Sequence, residues 1–334
     1  MRSTAESGGE LATLRSLAEA QDLDPYLKRR RLELFEQAAA RQGYAYGVDV
    51  RRSRWLARSS IGNAAVRAVD RAWSRLSERL REELLEGPGT PVHPDILDEL
   101  RSLRGLLRAP RPAIFLLKPD IAAAGNWPPV TALGPARGGA RWLILDAATL
   151  EGMSPHLRRF WLASGLAHLQ CGHGIFYTAH LFVELREAPR SITLLRKALT
   201  PWSRVMAFSS DRAGLLASHT LAEAIDALTL VAAREESIGW LPRPPDAQLR
   251  LVALEEFERS VVVARIRAAR QNQAGVEVSV FDPPPTMSSE DASEHGEDLA
   301  GPRDDAQAPV AHVPEDAWSL ARCDQRLTER LGLL

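Results

Sequence analysis

Cysteine is almost absent from this sequence, which has 334 residues and only two cysteines, Cys171 and Cys323. Two cysteines so far apart provide neither a disulfide framework nor the paired-cysteine spacing of a zinc knuckle. Such sparse use of cysteine is typical of a reducing compartment, and we therefore expect a cytoplasmic protein. Long apolar runs are also missing, because no stretch of about 18 apolar residues occurs and the first ten residues do not resemble a signal peptide. No membrane insertion is expected.

The sequence also lacks an excess of charge of one sign, because it has 42 basic and 43 acidic side chains and a net charge of -1. Without a long-range positive field, no nucleic-acid binding is expected. The hydrophobic share of 45% and the charged share of 25% are those of a globular protein with a sizeable core. The composition predicts no particular oligomeric state.

Changes of composition along the chain predict its division into segments. Apolar residues at helical spacing indicate a helical N-terminal region, and a proline-rich acidic stretch near the C-terminus cannot bury enough surface to order itself. The predicted segments are a flexible tail (1–10), an N-terminal helical region (11–87), a main domain (88–275), a disordered acidic linker (281–314) and a C-terminal helix (315–334).

The main domain begins with three short apolar segments, residues 113–118, 129–134 and 141–146, which are typical of strands. Helical periodicity follows them. The sequence therefore predicts an α+β fold that is mainly α, with a small sheet followed by helices.

Two of these helices have a recognisable start. Ser154-Pro155 and Thr200-Pro201 each place a capping hydroxyl before a proline, which suits the first turn of a helix. The helices predicted for the main domain span residues 155–174, 201–218, 221–234 and 249–270.

Two motifs lie on the first two of these helices. The first reads Ser164-Gly-Leu-Ala-His168-Leu-Gln-Cys171-Gly-His173. The second reads Trp202-Ser-Arg-Val-Met-Ala207-Phe-Ser-Ser-Asp211-Arg-Ala-Gly-Leu-Leu216. The pair resembles the HtpX-type, or CAAX-prenyl-protease-like, family of zinc metallopeptidases, which are gluzincins, over about residues 110–235. The resemblance implies a zincin-like peptidase domain.

In that family two histidines four residues apart bind one zinc ion, and a glutamate after the first histidine is the general base. A glutamate from the second helix is the third ligand. Aligned through His168, the first ligand position is Ser164, the general-base position is Gly165 and the third-ligand position is Ala207. Since a single imidazole cannot hold zinc, the resemblance implies no catalytic residue and no cofactor, with retained zinc as the alternative.

Four further positions match the family and are expected to be structural. Asp211 aligns with the aspartate that braces a zinc ligand, and we expect it to bond His168 or to cap backbone. Arg212 is expected to form an ion pair, His173 to bond carbonyl groups at a helix end, and Trp202 to pack.

A metal site rebuilt from His168, Cys171 and His173 is a further possibility. On a continuous helix these three side chains point in different directions, so they can share one ion only if the helix ends at Gly172.

The leading functional prediction is a catalytically inactive pseudopeptidase that binds or scaffolds a protein or peptide partner. In active relatives a sheet edge receives substrate by strand addition, so the predicted docking strand comprises Val130, Thr131, Ala132 and Leu133. The alternatives are an active zinc metalloendopeptidase with atypical ligands, and a structural protein whose N-terminal helices and acidic linker bind the partner.

Overall fold

The computed structural model of this protein describes residues 37–38, 40–87, 90–135, 140–185, 190–272 and 314–333. The predicted tail over residues 1–10 lies outside the described residues, as does the predicted linker over 281–314 apart from Pro314. The described part is mainly helical and contains one small sheet, which confirms the predicted α+β class.

The elements follow one another in a helical, mixed and again helical order. The helices before the sheet are α1 (Gly47–Arg58), α2 (Ser60–Leu84) and α3 (Pro94–Leu107). The strands and the short helices around them are β1 (Ala113–Leu116), α4 (Pro119–Ala123), β2 (Val130–Leu133), β3 (Trp142–Leu145) and α5 (Ala147–Glu151). The remaining helices are α6 (Pro155–Gln170), α7 (Gly174–Glu184), α8 (Arg190–Ala217), α9 (Leu221–Ser237), α10 (Ala247–Glu258), α11 (Val261–Asn272) and α12 (Leu320–Arg330).

The sheet has the strand order β1-β3-β2, with β3 parallel to β1 and antiparallel to β2. Alternate side chains of β3 enter two separate hydrophobic clusters. Leu143 and Leu145 pack with α3 and α6, whereas Trp142 and Ile144 pack on the other side with α2 and α7. Both faces of the sheet are therefore covered, and the three strands predicted from the sequence are confirmed.

The chain turns sharply between α6 and α7. Ser154 precedes α6 as predicted, but the helix ends at Gln170, and Gly172 has the positive φ of 77° that only glycine adopts without strain. The single helix predicted over 155–174 is therefore wrong at its C-terminal end, and His173 lies in the turn before α7.

Helix α8 is longer than its sequence signal indicates. The Thr200-Pro201 pair predicts a helix start, yet α8 begins by Arg190 and continues through Pro201 without interruption. Conversely, the single helix predicted over 249–270 is two helices, α10 and α11, with a break at Ser260.

Helix α8 lies at the centre of the molecule and crosses α6 closely. A Cβ on Gly214 would lie 2.5 Å from the Phe160 ring, so only glycine permits this approach. The N-terminal helices α1 and α2 both pack on α8, and α12 packs on both α10 and α1. Within the described residues, none of the helices combines the length and apolar character needed to cross a membrane.

Candidate functional site

Ser164 and Gly165, the positions that the resemblance aligns with the family's first zinc ligand and general base, lie on α6 where it contacts the edge strand β2. Gly165 of α6 faces Val130 of β2, and a Cβ built on Gly165 would overlap Val130 Cγ1. Any side chain at Gly165, the position aligned with the general base, would therefore collide with Val130.

A cavity of about 10 Å³ remains beside this contact, lined by Val130, Ser164, Gly165, His168 and Tyr177 among others. A space of this size holds about one water molecule. Ser164 and Ala207 are linked through one residue of α8, because Ser164 Oγ donates to the Ser210 carbonyl at 3.2 Å and Ser210 Oγ donates to the Ala207 carbonyl at 2.8 Å. Hydrogen bonds between α6 and α8 and within α8 therefore connect the two positions that the resemblance aligns with zinc ligands.

His168 is buried and belongs to a chain of side-chain hydrogen bonds. Its Nε2 lies 3.1 Å from the Tyr177 hydroxyl, and its Nδ1 lies 2.9 Å from Nδ1 of His173. His173 Nε2 lies 2.9 Å from Oδ2 of Asp49, which also accepts from Ser209 Oγ at 2.6 Å. The chain therefore joins α7, α6, the turn after α6, α1 and α8.

The donors and acceptors of this chain can be assigned. Burial lowers the pKa of His168 well below its ordinary value, with the neighbouring His173 and Arg250 adding to the effect, so His168 is neutral. A neutral imidazole carries one proton, so only one ring nitrogen of His168 donates in these hydrogen bonds. One arrangement that satisfies every atom has Tyr177 donating to His168 Nε2, His168 Nδ1 donating to His173 Nδ1, and His173 Nε2 donating to Asp49.

Asp211 lies outside this chain. Arg250 Nε and Nη2 donate to its two carboxylate oxygens at 2.9 and 2.7 Å, and Arg250 Nη1 donates to Glu235 at 2.6 Å. Burial raises the pKa of both carboxyl groups, and the two carboxylates raise the pKa of Arg250 against its own desolvation. The expected bond from Asp211 to His168 is thus replaced by a buried acid–arginine–acid cluster.

The other predicted structural positions are placed as follows. Arg212 forms an ion pair with Asp324 of α12 at 2.7 Å. His173 bonds the side chains of His168 and Asp49 instead of carbonyl groups. Trp202 lies in α8, but its side chain is outside the described residues.

The predicted docking strand is closed. Val130, Thr131, Ala132 and Leu133 are all buried, with at most 6% of any of them exposed, and helices α6 and α7 pack against β2. A peptide cannot add to this edge while these helices stay in place, so the expectation of strand addition at β2 is not supported by the packing.

Sequence reasoning overlooked Asp49, Tyr177 and Arg250. Asp49 lies in the N-terminal region, 124 residues before His173, and no local pattern joins the two. Arg250 had a signal: it shares the helical face of Ala253, Leu254 and Phe257, all of which are buried. An arginine on an apolar face requires a buried acid partner, which α8 and α9 provide.

No protein-family model, curated protein or solved structure matches this chain. Its functional assignment therefore depends on the geometry of the residues described above.

Proposed function

We propose that this protein is a non-catalytic relative of the HtpX-type zinc metallopeptidases, with a zincin-like domain that binds or scaffolds a partner. The relationship is supported by the position of His168 on a helix that lies against an antiparallel edge strand, and by the close crossing of that helix with α8. These are the elements that the two sequence motifs require to face one metal ion.

The observation that carries the proposal is the packing of Val130 against Gly165. A peptidase needs a zinc ion, its bound water and the substrate carbonyl at this place, and a cavity of about 10 Å³ accommodates none of these together. The losses at Ser164, Gly165 and Ala207 therefore coincide with a closed site, which favours a binding role over an active peptidase with atypical ligands.

An open surface adjoins the closed site. A groove of about 810 Å³ runs along the end of α9, the following loop and the start of α10. It shares Glu235 and Leu241 with the small cavity and also presents Arg204, Glu236 and Arg243. Its mixed charge suits a polar peptide segment of a partner protein.

The first experiment tests catalysis. Full-length protein is incubated with denatured casein and with a quenched fluorescent peptide library, in the presence of zinc and in the presence of a chelator. We expect no cleavage in either condition. Cleavage that the chelator abolishes, and that is lost in His168→Ala, would establish the active alternative and overturn the proposal.

The second experiment tests whether the site is closed. The triple variant Ser164→His, Gly165→Glu, Ala207→Glu restores the family's ligands, and the sequence alone predicts that zinc binding returns. Because Val130 fills the base position, we expect the restored ligands to bind zinc, counted as an increase over the zinc content of the wild type, only when Val130→Gly is added. A triple variant that shows the same increase as the quadruple one would contradict this account of the closed site.

The third experiment tests the groove. A peptide array is probed with the full-length protein, and its hits are probed again with Arg243→Glu and, as a control, with Arg265→Glu, which changes an exposed arginine of α11. We expect the first variant to lose hits that the second retains. An array without hits, or hits unchanged by Arg243→Glu, would exclude the groove as the peptide-binding surface.

A further inference from the structure

Three potential metal ligands of different kinds meet away from the closed family site. One ligand atom each from Asp49, Cys171 and His173 lies within 4.8 Å of the other two, and all three residues are buried. They come from α1 and from the turn that follows α6. The turn exists because Gly172 adopts a positive φ, so the helix ends where a shared ion for His168, Cys171 and His173 would require it to end. The structure groups Cys171 and His173 with Asp49 instead of with His168.

The charge of Asp49 is incompletely compensated. Its Oδ2 accepts from Ser209 and bonds His173, but Oδ1 is buried without any hydrogen-bond partner. Within the described residues, Asp49 has His173 but no arginine or lysine at ion-pair distance. A buried carboxylate oxygen without a hydrogen-bond donor is costly, and the unsatisfied Oδ1 indicates a cation or proton at that place.

We propose that Asp49, Cys171 and His173 bind one zinc ion that fastens α1 to the end of α6. A carboxylate oxygen, a thiolate sulfur and an imidazole nitrogen are the donors that zinc takes in proteins, at about 2.0–2.3 Å. In a tetrahedral site such donors lie about 3.4–3.6 Å apart, so small side-chain rotations close the present arrangement around an ion. This inference is independent of the proposed function.

The hydroxyl of Ser209 is placed beside the same carboxylate, 2.6 Å from Oδ2, and can act as the fourth donor. The site is then closed on all sides, with no position for substrate, which is typical of structural zinc. A cavity of about 250 Å³ has Cys171 and Gly172 in its wall, and an entering ion would approach the three ligands from this side.

Zinc binding has a defined proton balance. The Cys171 thiol loses its proton to solvent as the Zn–S bond forms, and His173 gives its Nε2 lone pair to the ion. The His173 proton then moves to Nδ1 and donates to His168 Nδ1, while His168 Nε2–H donates to the Tyr177 oxygen. The hydrogen bonds from His173 through His168 to Tyr177 then run in the opposite direction, and Asp49 exchanges its hydrogen bond with His173 for a bond to zinc.

Without a cation, Cys171 stays a thiol, because burial and the nearby Asp49 raise its pKa. Arg41 acts in the opposite sense and favours the thiolate. One proton released per zinc bound is therefore expected at neutral pH.

The proposal is tested by metal content and by cobalt substitution in the full-length protein. We expect about one equivalent of zinc per chain after dialysis against zinc, and an intense near-ultraviolet thiolate-to-cobalt band when cobalt replaces it. Cys171→Ser should abolish this band, and Asp49→Asn should weaken zinc binding at least 10-fold. The control Cys323→Ser changes the other buried cysteine and should leave the band intact.

A wild-type chain that stays free of metal after zinc is added would overturn the proposal, and so would a cobalt band that survives in Cys171→Ser. If Asp49→Asn fails to fold, the cobalt spectra of the two cysteine variants still decide the outcome. The peptidase assay is a separate measurement: bound zinc without cleavage supports both proposals, whereas absence of both zinc and cleavage overturns only this one.

Discussion

Arg250 compensates the buried carboxylate of Asp211 and the partly buried carboxylate of Glu235 at once, and only 1% of its own side chain is exposed. Replacing it with methionine, which has a similar length, removes the positive charge and leaves Asp211 and Glu235 together without a partner. Breaking a buried ion pair in this way costs about 3–5 kcal/mol. We therefore expect Arg250→Met to lower the free energy of unfolding by that amount at pH 7, measured by urea denaturation.

The deficit of Arg250→Met should shrink in acid. The carboxyl groups already have raised pKa values in the folded protein, and the loss of Arg250 raises them further. An acid whose folded pKa is raised stabilises the fold when protonated, and this contribution is lost as the pH rises through the folded pKa. If Arg250→Met lowers the free energy of unfolding equally at pH 4.5 and pH 7, then Arg250 does not affect the protonation of the two acids.

His180 contributes the opposite pH dependence. Burial, together with the nearby Arg196, lowers its pKa to about 4. Above pH 6.5 the His180 imidazole is neutral in both the folded and the unfolded protein, and its titration costs no stability. Below pH 6.5 the imidazole is protonated in the unfolded protein but stays neutral in the folded protein. Stability then falls by about 1.4 kcal/mol per pH unit, down to the folded pKa.

The variant His180→Gln cannot titrate, so its loss of stability between pH 7 and pH 5 should be smaller than that of the wild type. Urea midpoints at several pH values give the comparison. His156→Gln is the matched control, because it makes the same substitution at a histidine that is less buried than His180, at the start of α6. Equal slopes for His180→Gln and the wild type would show that folding does not lower the pKa of His180.

At the scale of the elements, the contact of α6 with β2 depends on the absence of a side chain at Gly165. Gly165→Ala places a methyl group against Val130, and overpacking of this kind costs about 1–3 kcal/mol. Adding Val130→Ala should recover part of the loss. Gly239→Ala is the matched control, because a Cβ at that position meets nothing within 4 Å. Thermal denaturation of the four proteins provides the test, and a neutral Gly165→Ala would mean that α6 and β2 move apart easily.

The elements also show how far the sequence determines the fold. The three strands and the start of α6 follow from local signals, namely apolar runs between turn residues and a capping serine before Pro155. The same local pattern at Thr200-Pro201 is misleading, because α8 continues through it and packs against α6, α7 and α10. Packing partners decide whether a capping signal is used, and they are distant in sequence.

The site was less predictable than the fold for the same reason. His168, Ser164 and Gly165 could be placed from the motif, but His168 meets His173 only because Gly172 turns the chain by its positive φ. Asp49 then joins them from α1. Two residues that are more than a hundred positions apart are not related by any helical or strand periodicity, so a single sequence does not predict their contact.

At the scale of the whole molecule, α12 joins regions that are far apart in the chain. Asp324 accepts from Arg212 of α8 and from the Gly47 backbone at the start of α1, and the Tyr46 and Thr328 hydroxyls bond each other.

Asp324→Ala leaves the buried Arg212 without its carboxylate and should cost about 2–4 kcal/mol. Arg326→Ala, on the exposed side of α12, should cost less than about 1 kcal/mol. Chemical denaturation measures both, and equal effects would show that α12 is held by its apolar face alone.

This arrangement has a consequence for biosynthesis. The hydrogen bond between Gly47 and Asp324 closes a sequence separation of 277 residues. At a translation rate of about 5–20 residues per second, α1 emerges from the ribosome tens of seconds before α12 exists. Throughout that interval the surface of α1 that receives α12 is exposed in the nascent chain. The molecule is therefore expected to depend on chaperone protection late in synthesis more than a protein of its size with local contacts.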